Sequence, residues 1–274
     1  MNLHFDNVSF TYPSGVRALD HVSLKFVSGE FVAIIGENGA GKTTLVKLLN
    51  GLLLPTEGEV FVEAWNTKDF SIAQLSARVS FLFQNPDEQL FERTVRRETS
   101  FGPRNLGLSG ATITKRVRES LKAVGLAERS ESNPYDLLPF ERKLLALAAI
   151  LAMHSPVLVL DEPSVGQDAA GRDRIGRVLR GLHKMGRTLL IISHDPDFCA
   201  EHAERVVVMA AGRVLADGPS KEILSQTDTL DRAAVHPPQL VRLAQALNMP
   251  SAPLTKQDFV RSYSLWRKRK KKED

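Results

Sequence analysis

Residues Phe31 to Ile35 are apolar without interruption and run directly into Gly36-Glu37-Asn38-Gly39-Ala40-Gly41-Lys42-Thr43-Thr44. That segment satisfies the phosphate-loop pattern GxxxxGK(S/T), and Leu45 to Leu49 after it has the character of a helix. A short, fully apolar run predicts a strand buried on both faces, as in a parallel sheet. Strand, glycine-rich loop and helix in this order predict an α/β chain whose loop curls around phosphate. The glycines free the backbone to turn successive N–H groups, and the helix N-terminus, toward phosphate oxygens. Lys42 is then placed to meet β and γ phosphates as a cation, and the Thr43 hydroxyl to ligate Mg2+.

A second apolar run, Val157 to Leu160, ends abruptly in Asp161-Glu162. Carboxylates at the end of a buried strand are costly unless they meet a cation or a reacting water. Asp161 is therefore assigned to Mg2+, mostly through water, and Glu162 to the attacking water as general base. A third run, Thr188 to Ile192, leads into Ser193-His194-Asp195. His194 falls at the carboxyl end of a buried strand, where open α/β sheets bind ligands, and its ring is expected to reach a γ-phosphate. His4, His21 and His183 are read as structural.

The rest of the chain sets the frame. Leu3 to Phe10 and Val22 to Phe26 alternate apolar and polar around the turn Pro13-Ser14-Gly15, predicting antiparallel edge strands. Between Asn85 and Met153 the pattern is helical: Thr112 to Gly125 is charged and periodic, and Glu141 to Met153 is rich in Leu and Ala. Lys221 to Leu224 and Leu240 to Leu247, the latter opened by Pro237-Pro238, predict a small helical extension. No run of roughly 20 apolar residues is present to cross a bilayer, and Met1 to Tyr12 lacks the regions of a signal peptide. A single cysteine, Cys199, cannot form an internal bridge, which suits a reducing compartment. The formal charge of +4 belongs to the C-terminus: Arg267 to Lys272 is an unbroken basic run followed by Glu273 and Asp274, and without these eight residues the net charge is zero. The run reads as a solvated, disordered end, with anionic lipid or nucleic acid as the functional alternative.

These residues together resemble the ATP-binding-cassette (ABC) ATPases over about residues 1 to 225. The likeness is carried by Tyr12, the phosphate loop, Gln84 in Phe83-Gln84-Asn85-Pro86, the Asp161-Glu162-Pro163 turn, Ser164 to Asp168 and His194. It implies an α/β fold: a P-loop NTPase (RecA-like) core with an antiparallel β edge subdomain, an inserted helical subdomain at about 86–153, a helical extension at 226–260 and a basic tail at 261–274. It further implies that Tyr12 stacks on adenine, Gln84 contacts Mg2+ and relays to a membrane subunit, Ser164 to Asp168 lies across a dimer interface, and His194 is the switch histidine. Gln84 to Phe91, followed by Thr94-Val95 and Phe101-Gly102-Pro103, is similar to the energy-coupling-factor group that imports vitamins and transition-metal ions. The chain would then sit peripherally on the cytoplasmic face of the cell membrane, with an integral membrane component and a separate substrate-binding membrane protein.

One departure shapes the expected mechanism. Where the family has Leu-Ser-Gly-Gly-Gln before the acidic strand, this chain reads Leu137-Leu138-Pro139-Phe140-Glu141. Leu138 has no hydroxyl, Pro139 no amide hydrogen, Phe140 is bulky and Glu141 is anionic. A like charge roughly 5 Å from phosphate, at an effective dielectric near 20, costs about 3 kcal/mol before screening, and a lost transition-state donor costs about 3 kcal/mol more. Each nucleotide in this family is sandwiched between one subunit's phosphate loop and the other's signature. The resemblance therefore implies a heterodimer with a second ABC ATPase whose signature is intact. The alternative is a regulatory or assembly subunit that binds ATP with little hydrolysis of its own. Nucleic acid is not expected as a partner, since the chain has neither long coiled coils nor cysteine zinc modules.

Overall fold

The computed structural model describes residues 1–273; Asp274, the last residue of the basic tail, lies outside the described residues. The chain opens with β1 (Leu3–Thr11) and β2 (Arg17–Phe26), paired antiparallel, and then enters β3 (Phe31–Ile35). After α1 (Lys42–Lys47) come β4 (Glu57–Val62), β5 (Trp65–Asn66), α2 (Ile72–Ser76) and β6 (Val79–Leu82). Helices α3 (Val95–Asn105), α4 (Gly110–Val124) and α5 (Pro139–Met153) form the insert that the helical pattern predicted. The core resumes with β7 (Val157–Asp161), α6 (Ala169–Lys184), β8 (Thr188–Ile192), α7 (Pro196–His202), β9 (Arg205–Ala210) and β10 (Arg213–Pro219). The extension is α8 (Ser220–Ile223), α9 (Thr227–Arg232), α10 (Gln239–Ala246) and α11 (Lys256–Glu273).

Two sheets result. One is antiparallel, in the order β2-β1-β4-β5; the other runs β10-β9-β3-β8-β7-β6 and is parallel except for β10. In β3 the apolar run is explained residue by residue. Phe31, Ala33 and Ile35 pack into a core shared with the helices, while Val32 and Ile34 pack into a second core shared with the antiparallel sheet. Strand side chains alternate between faces, so a strand covered on both sides has no place for a polar residue. β7 and β8 are buried throughout for the same reason.

The carboxyl ends of β3, β6, β7 and β8 lie side by side, and it is there that the phosphate loop, Gln84, Asp161-Glu162 and His194 emerge. The expectation of a disordered tail is corrected: Arg267 to Lys272 belong to α11, which also runs across the boundary drawn at 260/261. Long unbranched Lys and Arg side chains favour helix. Stacking of Phe259 on Tyr263 (6.0 Å between centroids) and a tilted contact of Tyr263 with Trp266 (5.6 Å) support the preceding turns. No helix among the described residues is long and apolar enough to cross a membrane.

Candidate nucleotide-binding and catalytic site

The loop between β3 and α1 requires glycine where the chain turns. Gly41 has φ +94°, and a Cβ there would run into the carbonyl of Ala18. Gly36 likewise passes against the carbonyl of Met209. The buried Lys42 ammonium donates to the carbonyls of Gly36 (2.8 Å) and Glu37 (2.7 Å), which holds it over the loop. Burial lowers its pKa, against the pull of Glu162, Asp161 and Glu37. The Thr43 hydroxyl donates to Asp161 Oδ2 at 2.8 Å, bringing together two groups 118 residues apart in sequence. Asp161 is buried, and its pKa is raised first by that burial and further by neighbouring Glu162. A desolvated carboxylate beside a hydroxyl is a hard-oxygen donor pair that gains from a divalent cation, so these residues fit Mg2+.

Glu162 follows Asp161 with φ +50°, in the left-handed region. This turns its carboxylate out of the strand's alternation toward the end of β8. There it accepts from the His194 backbone N–H at 3.1 Å and lies 2.8 Å from His194 Nδ1. Tyr12 shares a hydrogen bond with Thr44 (2.9 Å) and stands edge-on to Phe10 (4.8 Å), which leaves a ring face for a base. A cleft of about 760 Å³ is bordered by Tyr12, the phosphate loop from Gly36 to Thr44, Gln84, Asp161, Glu162 and His194. Among the phosphate-loop residues, Ala40 is buried and not on the cleft wall; its amide side lies within the loop, whereas Glu37, Asn38 and Gly39 face the opening.

A model described as ABC transporter matches residues 19–165, more than half of the chain. The chain belongs to the ABC transporter family. Within that family, it is 38% identical over 274 residues to the energy-coupling factor transporter ATP-binding protein EcfA2 of Streptococcus agalactiae, covering 95% of this chain and 98% of the relative. It is also 40% identical over 241 residues to EcfA of Methanocaldococcus jannaschii, covering 87% and 86%. Among solved structures, cbiO1 from Clostridium perfringens, described as part of the ABC transporter complex cbiONQ, superposes with a TM-score of 0.75 at 32% identity. That likeness covers 90% of this chain and 98% of cbiO1. The ATP-binding cassette MJ0796, as a dimer in a post-hydrolysis state bound to ADP and Pi, superposes at 0.72 with 28% identity, covering 80% and 98%. As an ABC ATPase, the chain is an ATP-hydrolysing enzyme of the P-loop fold.

In this ABC ATPase the altered signature segment sits at the start of α5. Leu138 is exposed, Pro139 opens the helix and Phe140 is half-buried. The Glu141 carboxylate folds back to accept the Leu138 N–H at 2.9 Å. This is half of a capping box, because Leu138 offers no oxygen in return. The acidic side chain expected to repel phosphate is thus engaged with its own helix. The structure adds contacts that the sequence does not display. Lys143, one turn into α5, is buried against the carbonyls of Gln84 and Glu162. Gln167 Nε2 donates to the Phe140 carbonyl at 3.0 Å. Ala234, Val235 and His236 of the extension border the cleft, and the Gln239 N–H donates to Asp197 beside the His194 turn. From the sequence, Lys143 with Arg142 reads as a partial offset to the Glu141 charge; its burial against two carbonyls is a tertiary fact.

Proposed function

We propose that this ABC ATPase energises an energy-coupling-factor type membrane importer for a metal ion or vitamin, as one half of an asymmetric ATPase heterodimer. The observation that carries the reading is the contrast between two segments of one chain. The phosphate loop, Asp161, Glu162 and His194 converge on a single cleft, while Leu138 to Glu141 offer no hydroxyl, no amide hydrogen at Pro139 and a Leu138 amide already taken by Glu141, with the bulky Phe140 side chain in between. The names of the relatives, and the complex named for cbiO1, support the transporter class.

In the proposed site, ATP lies with its base on Tyr12 and its phosphates along the amides of residues 36 to 44. Lys42 leaves the loop carbonyls to meet β- and γ-phosphate oxygens. Thr43 and Asp161, with Gln84 at the cleft edge, would hold Mg2+, which would supply positive charge to offset that of the phosphates. Glu162 takes a proton from the attacking water, and His194 holds the Glu162 carboxylate while its exposed ring senses the γ-phosphate. The partner ATPase completes this site with its intact signature. The second site, built from the partner's phosphate loop and Leu138 to Glu141 here, binds ATP and turns it over slowly. Closure on ATP and reopening after hydrolysis pass through the loop from Gln84 to Phe91 to an integral membrane component served by a substrate-binding membrane protein. The chain works from the cytoplasmic face of the membrane.

Affinity capture of the full chain from native membranes tests this. Recovery of a second ABC ATPase with integral components, and ATPase activity in the assembly but little in the isolated chain, is the expected result. Brisk turnover by the isolated chain would refute the asymmetry. Co-purification with no effect on transport would favour the regulatory or assembly reading, toward which the altered signature points.

A further inference from the structure

Strands β6 and β7 are parallel neighbours with Leu82 opposite Leu160, so Gln84 and Glu162 stand two residues beyond a matched pair. Past that pair neither carbonyl has a ladder partner. Glu162 leaves the strand at φ +50° and cannot continue the sheet. A buried carbonyl needs a donor, and one side chain reaches both: Lys143 Nζ donates to Gln84 O at 2.9 Å and to Glu162 O at 2.5 Å, the latter carbonyl accepting besides only a longer bond from the Val165 N–H at 3.3 Å. The lysine is 4% exposed and comes from the second turn of α5, the helix whose first residues form the altered signature.

Its neighbours reinforce the same connection. Arg142 donates to Asp87 Oδ1 (3.2 Å) and to the Tyr135 carbonyl (2.9 Å), and Gln89 Nε2 donates to the Ala146 carbonyl (3.2 Å). The start of α5 is therefore fastened within its own subunit to the loop carrying Gln84 and to the peptide that orients Glu162.

We propose that Lys143 is a positioning residue for ATP hydrolysis: its ammonium locks the left-handed Glu162 peptide, aims the carboxylate at the attacking water, and ties that aim to the Gln84 loop. The inference rests on hydrolysis at this chain's own phosphate loop. Lys143 is not among the residues that border the cleft; it acts through Glu162 and Gln84. An off-target shift of a reacting group by about 1 Å costs on the order of 10²-fold in rate. Apart from His194, Glu162 is held by its N–H on the Ile192 carbonyl (2.9 Å) and by a longer bond from the Val165 N–H to its own carbonyl (3.3 Å), so loss of the ammonium removes the shortest hold on that carbonyl and lets the peptide tilt.

The test uses the full chain in its native assembly with the second ATPase and membrane components. Lys143→Met keeps the apolar stem and removes the donors. It is expected to lower kcat by roughly 10- to 100-fold, with KM for ATP changed by less than about threefold because the phosphate loop is untouched. Lys143→Arg, which restores donors to both carbonyls, is expected to recover kcat to within about fivefold of wild type. Turnover by Lys143→Met at the wild-type rate, or a rise in KM without a fall in kcat, would overturn the inference. So would failure of every variant to assemble, Lys143→Arg included, since that would assign the lysine to folding. An inactive wild-type assembly would refute the hydrolytic reading itself and this inference with it. An active assembly indifferent to Lys143→Met would refute this inference alone.

Discussion

Glu162 and His194 are joined twice, carboxylate to ring Nδ1 at 2.8 Å and carboxylate to backbone N–H at 3.1 Å. The carboxylate is almost fully buried, whereas the histidine side chain is 61% exposed. One end of the pair is thus shielded for proton transfer and the other is open to the cleft. Glu162→Gln keeps the shape and removes the base, and turnover of the assembled complex is expected to fall by about 10²- to 10⁴-fold. ATP binding, followed by equilibrium titration, should be retained. Wild-type turnover in this variant would place water activation elsewhere.

The signature segment gives a prediction of opposite sign. Leu138 occupies the N-cap of α5 with no side-chain acceptor, although Glu141 already supplies the other half of a capping box. Leu138→Ser completes the box and removes an exposed apolar side chain, so it is expected to stabilise the chain by about 1 kcal/mol in chemical denaturation. Rebuilding the whole segment, with Pro139→Gly, Phe140→Gly and Glu141→Gln added, should raise the ATPase rate of the assembly by up to about twofold as the second site gains its donors. An unchanged rate would show that the second site is limited by something other than this segment.

Stability should depend on pH through His202, the last residue of α7, whose ring packs against Gly176 of α6. Its Nδ1 is 3.0 Å from Arg180, its ring packs edge-on against Phe198, and Gly176 gives it room. Burial first, and then Arg180 and Arg172 against the opposing pull of Glu201 and Asp173, lowers its pKa from 6.5 to about 4. Below pH 6.5 the unfolded chain takes up a proton that the folded chain refuses until about pH 4. The contribution to stability is therefore whole above pH 6.5 and is lost as pH falls toward 4. His202→Gln should flatten this limb of a melting-temperature profile; an unaltered profile would exclude His202 as its source.

Chelation separates binding from chemistry. With EDTA in excess over divalent cations, hydrolysis by the assembly is expected to fall to background, and Mg2+ should restore it. Thr43→Val removes the hydroxyl that donates to Asp161 and should raise the Mg2+ concentration needed for half-maximal rate by about tenfold or more, since one hard oxygen donor is lost. An unshifted Mg2+ dependence would take Thr43 out of the cation site.

Much of the site was readable because its parts are local. Gly36 to Thr44 is a contiguous pattern whose loop geometry follows from glycine and from the strand before it. Asp161, Glu162 and His194 each announce themselves as a polar residue at the end of an apolar run. Val79 to Leu82 carries little periodicity, being four residues of which one is Ser80. Lys143 reads from the sequence only as a positive charge near Glu141; its two carbonyl partners become visible only where the ends of two strands meet.

The sequence by itself determined the buried parallel strands, the phosphate loop and the loss of the signature donors, because each depends on residues adjacent along the chain. Tertiary structure decided which distant groups meet: Thr43 with Asp161, Glu162 with His194, and Lys143 with both Gln84 and Glu162. It also turned Glu141 back onto its own helix and wound the basic tail into α11. Such outcomes depend on strand order and on the satisfaction of buried polar groups, and neither is encoded in any short stretch of residues.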